Sequence, residues 1–330
     1  MHKLKKIDSS KISIVIQGPV FSRERHVNFT IQSTKKFFPK SEIIFSTWAG
    51  EDLDFIPKDI KVVLSESPSG FFKDPLSGVE DNLHRQVIST HAGLKLATNP
   101  YALKLRSDLI LSNNHMSIIN DKVASSENPF TFFKEKITIM EFGTFDCSKE
   151  PFLYHISDIA MFGLKSDLLS YWVLDKKIYD LNLSFFLHAK AKIFFGNTGF
   201  RFSNLACEQR LAMSFLNRMG INPAISYIDS INKREAYFSD MFIAHNFYIL
   251  NTKKSGILLP PNLAQSSINT WLSQEKSDEI LKNCTNYQAY NIRYVHIFIR
   301  KYLVSLLTIR YYKGIVGIFL FCIKKLFFKV

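Results

Sequence analysis

Four short apolar runs in the first third of the chain each end on a polar cluster. Residues 12–16 run into Gln17-Gly18-Pro19, 43–45 into Ser46-Thr47-Trp48, 62–64 into Ser65-Glu66, and 101–105 into Arg106-Ser107-Asp108. Short apolar runs ending on polar clusters predict strands, the first of them β-branched and the second buried. After the first of them, Val27, Ile31, Thr34 and Phe38 recur at helical spacing until Pro39 stops the pattern. A second helix is predicted over 81–97, with Leu83, Val87, Thr90 and Leu94 in one stripe and Asn82, Arg85, Gln86 and Ser89 in another. Strands and helices alternate, so the fold class is α/β, a mainly parallel sheet with helices on both faces. In such a sheet the carboxyl ends of the strands border one crevice, and the polar tips predict one nucleotide-sized site there.

Further along, the periodicity weakens. Residues 158–164 read as another strand, 166–173 as a short helix, and 205–219 as a helix closed by Gly220. The stretch 67–78 is turn-rich and, beside a strand end, is a candidate lid. Pro260-Pro261 stops regular structure, and the composition turns polar and then basic-apolar after it. Two regions are therefore expected: a sheet domain over 1–262 and a helical docking segment over 263–330.

Composition changes the picture in three ways. With 330 residues, 46% of them hydrophobic and 30 of them Phe, the chain has ample material for a core, which excludes a disordered protein. The net charge of +13 is lopsided, since residues 291–330 carry eight Lys or Arg and no Asp or Glu. The four cysteines are scattered without a Cys-x-x-Cys pair, which suits a reducing compartment, and no histidine pair has metal-ligand spacing. No Gly-x-Ser-x-Gly elbow, phosphate-binding Walker loop or Gly-x-Gly-x-x-Gly fingerprint occurs. The basic N-terminus leads into Asp8-Ser9-Ser10 rather than an apolar signal core, so secretion is not expected.

The strand tips carry the chemistry. Gly18 lets backbone approach a ligand, and the Gln17 amide can pair with a base or ribose edge. Thr47 and Trp48 offer a hydroxyl and a stacking ring, although a Trp after a buried strand often belongs to the core. A nucleoside-diphosphate sugar presents two phosphates to be neutralised as its glycosidic bond breaks. Asp108 could hold a divalent ion against them, and Arg106 could add direct charge. Asn82, Arg85 and Gln86 could reach the same crevice, the alternative being a solvated helix face. Asp158 and Glu208 adjoin apolar elements, and either could serve as general base on an acceptor hydroxyl, with Asp158 preferred. For Glu208 the competing role is a carboxylate at a helix N-terminus.

In order, Val15-Ile16-Gln17-Gly18-Pro19, Phe38-Pro39 with Ile43-Ile44-Phe45-Ser46-Thr47-Trp48, Asn82 with Arg85-Gln86, and Ala102-Leu103-Lys104-Leu105-Arg106-Ser107-Asp108 resemble the WavE-type lipopolysaccharide-synthesis family. The similarity continues through Ser157-Asp158, Phe162-Gly163-Leu164 and Glu208-Gln209. The resemblance implies a bacterial glycosyltransferase with a GT-A-like nucleotide-binding fold, moving a sugar from a nucleotide-sugar donor to a hydroxyl of lipopolysaccharide or a related surface glycan. Asp108 then stands where the metal-binding Asp-x-Asp motif keeps its last acidic residue, implying Mn or Mg. Arg106 occupies the first position, so arginine could replace part of that ion's charge. Ser107 lies between them, and Pro19 closes the first tip.

The C-terminal region suggests a location. Its cations lie among aromatic and aliphatic residues, yet the charge-free run 314–323 is too short to span a bilayer as a helix. An anionic membrane surface is the expected partner, on the inner face of the cytoplasmic membrane; the alternative is docking on the domain or on another protein. Two other functions compete with sugar transfer. A nucleotidyltransferase needs a basic phosphate-gripping loop after the first strand, for which Arg23 and Arg25 are the only hints. A non-enzymatic membrane- or nucleic-acid-binding module leaves the strand-tip motifs unexplained, and nucleic acid is not an expected partner.

Overall fold

The structure is a computed structural model that describes residues 4–21, 26–68, 82–120, 128–175, 205–226, 228, 230–264, 270–284, 286–304 and 307. Arg23 and Arg25, most of the candidate lid, and nearly all of the C-terminal segment beyond 304 lie outside the described residues.

The strands in chain order are β1 (Leu4–Lys6), β2 (Ile12–Gln17), β3 (Glu42–Trp48), β4 (Lys61–Ser65), β5 (Tyr101–Arg106), β6 (Ile110–Leu111), β7 (Ile118–Asn120), β8 (Ile137–Met140), β9 (Ala160–Leu164), β10 (Phe247–Leu250) and β11 (Ile257–Leu258). Seven of them form the main sheet, ordered β10-β8-β9-β5-β2-β3-β4. As expected, β4, β3, β2 and β5 run parallel. The chain builds outward from β2 to β4 and then crosses back to lay β5 on the other side of β2, which makes the β2/β5 boundary the topological switch point. Beyond it the sheet is mixed, because β9 is antiparallel to both β5 and β8 while β10 is parallel to β8.

Alternation along each strand sorts side chains between two cores. Ile14, Ile16, Phe45, Leu103 and Leu105 pack with Val27, Ile31 and Phe38 of helix α1 (Val27–Phe37) and its C-cap. Val15, Ile44 and Ala102 pack with Leu83, Val87 and Leu94 of helix α2 (Leu83–Leu96). Strands buried on both faces must be almost continuously apolar, and β2 is buried along its whole length. Gly93 sets the distance of α2 from the sheet, since a Cβ there would lie 2.4 Å from Val15 Cγ1. Ser46 Oγ donates to the Ser89 carbonyl at 2.7 Å, and just past the helix Thr98 N donates to Glu42 at 2.9 Å. With its far end tied to the start of β3, α2 directs its first turn toward the polar strand tips.

Helix α3 (Lys165–Tyr171) follows β9 directly, two residues shorter at its C-terminus than the periodicity suggested. The helix Lys233–Asn246 passes into β10 without a loop. Asn246 makes that junction possible: its Nδ2 donates to the Phe130 and Phe242 carbonyls, and its Oδ1 accepts from Phe132 N at 2.7 Å.

Pro261 opens a single turn, Pro261–Ala264, and the described chain then returns to the sheet domain. Leu272, Ile280, Cys284, Tyr290 and Ile297 belong to the same core as α2. Arg293, on the helix Asn291–Ile299, bonds Asp240 and Asp146. Regular structure is interrupted at residues 259–260, but the packing continues through Ile297.

Candidate active site

The tips of β2 and β5 are locked together. Gln17 pairs in register with Arg106 on one side and Ser46 on the other. Ser107 N donates to the Gln17 carbonyl and Ser107 Oγ to the Pro19 carbonyl, each at 2.8 Å. Gly18 has φ +130°, a region that favours glycine, and a Cβ on it would lie 2.6 Å from Ser107 Oγ. Gly18→Ala is therefore expected to cost about 1–3 kcal/mol and to displace Ser107. Denaturant unfolding checks the first, and weaker nucleotide affinity the second.

Alternation turns Gln17, Lys104 and Arg106 toward α2, together with Ser46 and Trp48, whereas Thr47 points to the α1 face. Trp48 is 8% exposed, so little of its ring is open for stacking. Asn82 is the exposed N-cap of α2, and Arg85 and Gln86 are half-buried in its first turn. Arg85 lies about 6 Å further toward the strand tips than Ser89. Gln17 Oε1, Thr47 Oγ1 and Gln86 Oε1 are buried with no hydrogen-bond partner in the structure. Buried polar atoms are nearly always paired. Gln17 and Gln86 lie on the α2 face of the sheet and Thr47 on the other, so of these three only the two amides can face a common ligand.

The antiparallel turn of β9 delivers the acidic residues. Leu105 pairs with Ala160, so the start of β9 lies at the tip of β5 and Asp158 arrives two residues before it. The approach is fixed by Tyr154, which holds φ 57° with its N–H on Ser239 Oγ and its hydroxyl on Glu235, both at 2.7 Å. His155 Nδ1 lies 2.8 Å from the Gly143 carbonyl oxygen, and its Nε2 lies 3.5 Å from Glu208 Oε2. Glu208 sits in the first turn of the helix Cys207–Arg218, with 26% of its side chain exposed. Next to it, Gln209 accepts from Ala206 N and donates to the Leu153 and Ile228 carbonyls, anchoring that helix.

Electrostatics join these groups. Burial pushes the Asp158 carboxyl up to about 6, the like charge of Glu208 adds to the rise, and Lys104 and Arg106 oppose it. Tyr171 is pushed well up by burial and then by the same two carboxylates. Lys104 is fully buried; its Nζ donates to the Asp158 carbonyl at 2.5 Å and lies 4.5 Å from the centre of the Trp172 ring. Burial lowers its pKa to about 8, against the pull of Asp158 and Asp108. Sequence reading assigned Lys104 no role. A lone lysine inside the run Tyr101-Ala102-Leu103-Lys104-Leu105, on the same strand face as Arg106, was the available signal.

Asp108 does not offer itself to a metal. Its Oδ1 and Oδ2 accept from Arg106 Nε and Nη2 at 3.0 and 2.6 Å, and 1% of its side chain is exposed. Among the described residues no group of three or more His, Cys, Asp or Glu could hold an ion. The residues present do not fit the expected divalent cation.

A doubly covered α/β sheet with orphaned polar atoms and a carboxylate pair at its switch point has the form of a ligand-binding enzyme. The sequence profile of the WavE lipopolysaccharide synthesis family matches residues 12–316, and the chain belongs to that family. None of the curated proteins matches it. Among solved structures, S. aureus TarS is similar over 82% of this chain at 13% identity and a TM-score of 0.33; the chain spans only 42% of TarS. The mannosyltransferase PcManGT from Pyrobaculum calidifontis, in complex with GDP-Man and Mn2+, is similar over 97% of this chain and 88% of its own at 11% identity and a TM-score of 0.33. The galactosyltransferase LgtC, in complex with donor and acceptor sugar analogs, matches over 47% and 58% at 13% identity and a TM-score of 0.26.

Proposed function

We propose that this protein is a glycosyltransferase that moves a sugar from a nucleoside-diphosphate donor to a hydroxyl of lipopolysaccharide or a related surface glycan. The carrying observation is the meeting of Gln17, Arg106 and Asp158 at the β2/β5 switch point, with orphaned acceptors on Gln17 and Gln86. The family's role in lipopolysaccharide synthesis agrees with this reading. In it the orphaned amides read the nucleoside or sugar hydroxyls, and Arg106 meets the charge on the departing diphosphate. The acceptor hydroxyl gives its proton to the Asp158–Glu208 pair as its oxygen bonds the sugar and the sugar–phosphate bond breaks. Asp158 has the raised proton affinity a base needs near neutral pH, and Glu208 is the carboxylate more open to substrate.

A thermal-shift panel of nucleotide sugars tests the donor side. One donor is expected to stabilise the protein by about 3 kcal/mol at a hundredfold excess over its Kd. If the whole panel leaves the melting temperature unmoved, the reading is lost.

We also propose that the basic C-terminal segment brings the enzyme to the anionic inner face of the cytoplasmic membrane, where a lipid-linked acceptor is presented. No helix among the described residues is long and apolar enough to cross a membrane. Because residues 270–304 contribute to the core, the test keeps the full chain and replaces Arg310, Lys313, Lys324, Lys325 and Lys329 with Gln. Each cation near the lipid contributes about 1 kcal/mol, so flotation with phosphatidylglycerol vesicles should be lost. Equal flotation of both proteins would refute the anchor.

A further inference from the structure

We propose that the donor diphosphate is gripped by the Arg106 guanidinium, with Asp108 fixing that guanidinium from behind, and that no divalent ion takes part in donor binding. This deepens the glycosyltransferase reading and rests on it. The order of exposure is the first reason. Arg106 keeps 29% of its side chain open and Asp108 only 1%, so an incoming ligand meets the guanidinium and not the carboxylate.

The second reason is valence. A guanidinium carries five N–H donors in a planar fork. The pair with Asp108 engages one on Nε and one on Nη2, leaving two on Nη1 and the second on Nη2. Planar donors of this kind match phosphate oxygens. A metal ion binding Asp108 would have to displace Arg106 from both oxygens of a buried carboxylate, which strips a charged pair of its partner.

The third reason is register. Arg106 stands opposite Gln17, whose Oε1 has no partner, so the guanidinium and the orphaned amide share one end of the switch point. Two residues back on the same strand face, the buried Lys104 keeps a second positive charge behind Arg106. Both oxygens of Asp108 are already held by Arg106, and no group of three or more His, Cys, Asp or Glu among the described residues includes it. Arg106 thus occupies the place where a metal and its first carboxylate would stand, and Asp108 is a positioning residue.

Isothermal titration of the full chain with UDP, GDP, CDP, dTDP and ADP, in EDTA and again in manganese chloride, decides the matter without relying on a variant. At least one diphosphate is expected to bind, with Kd values in the two buffers within about threefold of each other. Arg106→Lys keeps the charge but loses the fork, and Arg106→Asp sets a second carboxylate two residues ahead of Asp108. Both are expected to weaken binding in EDTA about tenfold or more. Asp108→Asn is expected to weaken binding already in EDTA, where a residue acting only as a metal ligand would have nothing to lose. Binding that requires manganese would overturn this inference and leave the transferase reading intact, and unchanged affinity in both Arg106 variants would overturn it as well. Failure of every diphosphate to bind in either buffer would overturn both.

Discussion

Asp158→Asn is expected to lower the rate of sugar transfer by about 10²–10⁴-fold, the range for loss of a general base, while donor affinity stays within about twofold. The same substitution should make the protein more stable at neutral pH. Burial first and Glu208 second raise the folded-state pKa of Asp158 from 3.8 to about 6. The folded protein therefore holds this proton more tightly than the unfolded chain. The stability linked to it is fully present below about pH 4 and is lost as the pH rises from about 4 to about 6. An amide does not titrate, so the variant should lack that decline and gain up to about 3 kcal/mol at pH 7.5, less whatever the Lys104 pairing contributes. Denaturant unfolding of both proteins at pH 4 and 7.5, with transfer measured in parallel, checks both effects. A variant that transfers normally removes Asp158 from the chemistry. One that is less stable than the parent at pH 7.5 makes Asp158 a structural partner of Lys104 instead.

The first third of the chain was legible because its units are short and local. Each strand there is a short, mostly apolar run closed by polar or turn residues, and α1 and α2 carry clean apolar stripes, so Gln17, Ser46 and Arg106 could be assigned to strand tips from the sequence. What could not be read were relations between distant segments. Ile137-Thr138-Ile139-Met140 and Phe247-Tyr248-Ile249-Leu250 are four-residue apolar runs that periodicity cannot tell from helix cores, and they proved to be β8 and β10. The direction of β9 was equally hidden. A mainly parallel sheet was expected, yet only the antiparallel pairing of Leu105 with Ala160 carries Asp158 to the rim. The motif Arg106-Ser107-Asp108 gave its residue types in sequence but not which charge faces outward, because that depends on the bidentate contact. Membership in the lipopolysaccharide-synthesis family, read from an ordered set of short motifs, was borne out over residues 12–316.

Arg293→Ala is expected to destabilise the protein by about 3–5 kcal/mol, the range for stripping a buried ion pair of one partner. Arg293 Nε donates to Asp240 Oδ2 at 2.6 Å and Nη2 to Asp146 Oδ1 at 3.0 Å, with 9%, 3% and 1% of the three side chains exposed. Tyr290 adds its hydroxyl to Asp240, so a single turn of chain around 290–293 is tied to residues far back in sequence. These bonds join the region after Pro260-Pro261 to the sheet domain, which a local signal such as two prolines could not reveal. Burial alone would raise the Asp146 carboxyl, but Arg293 and then Ser148 reverse the shift and hold it below its ordinary value. That part of the parent's stability is present above the unfolded pKa near 3.8 and is lost as the pH falls through the lower folded value. Without the guanidinium the sign changes, since two buried carboxylates left facing each other favour protonation. The deficit of Arg293→Ala should therefore shrink as the pH is lowered from 7.5 to 5, read as the denaturant midpoint at unchanged slope. A deficit that stays constant across this range would assign the loss to packing rather than to the paired charges.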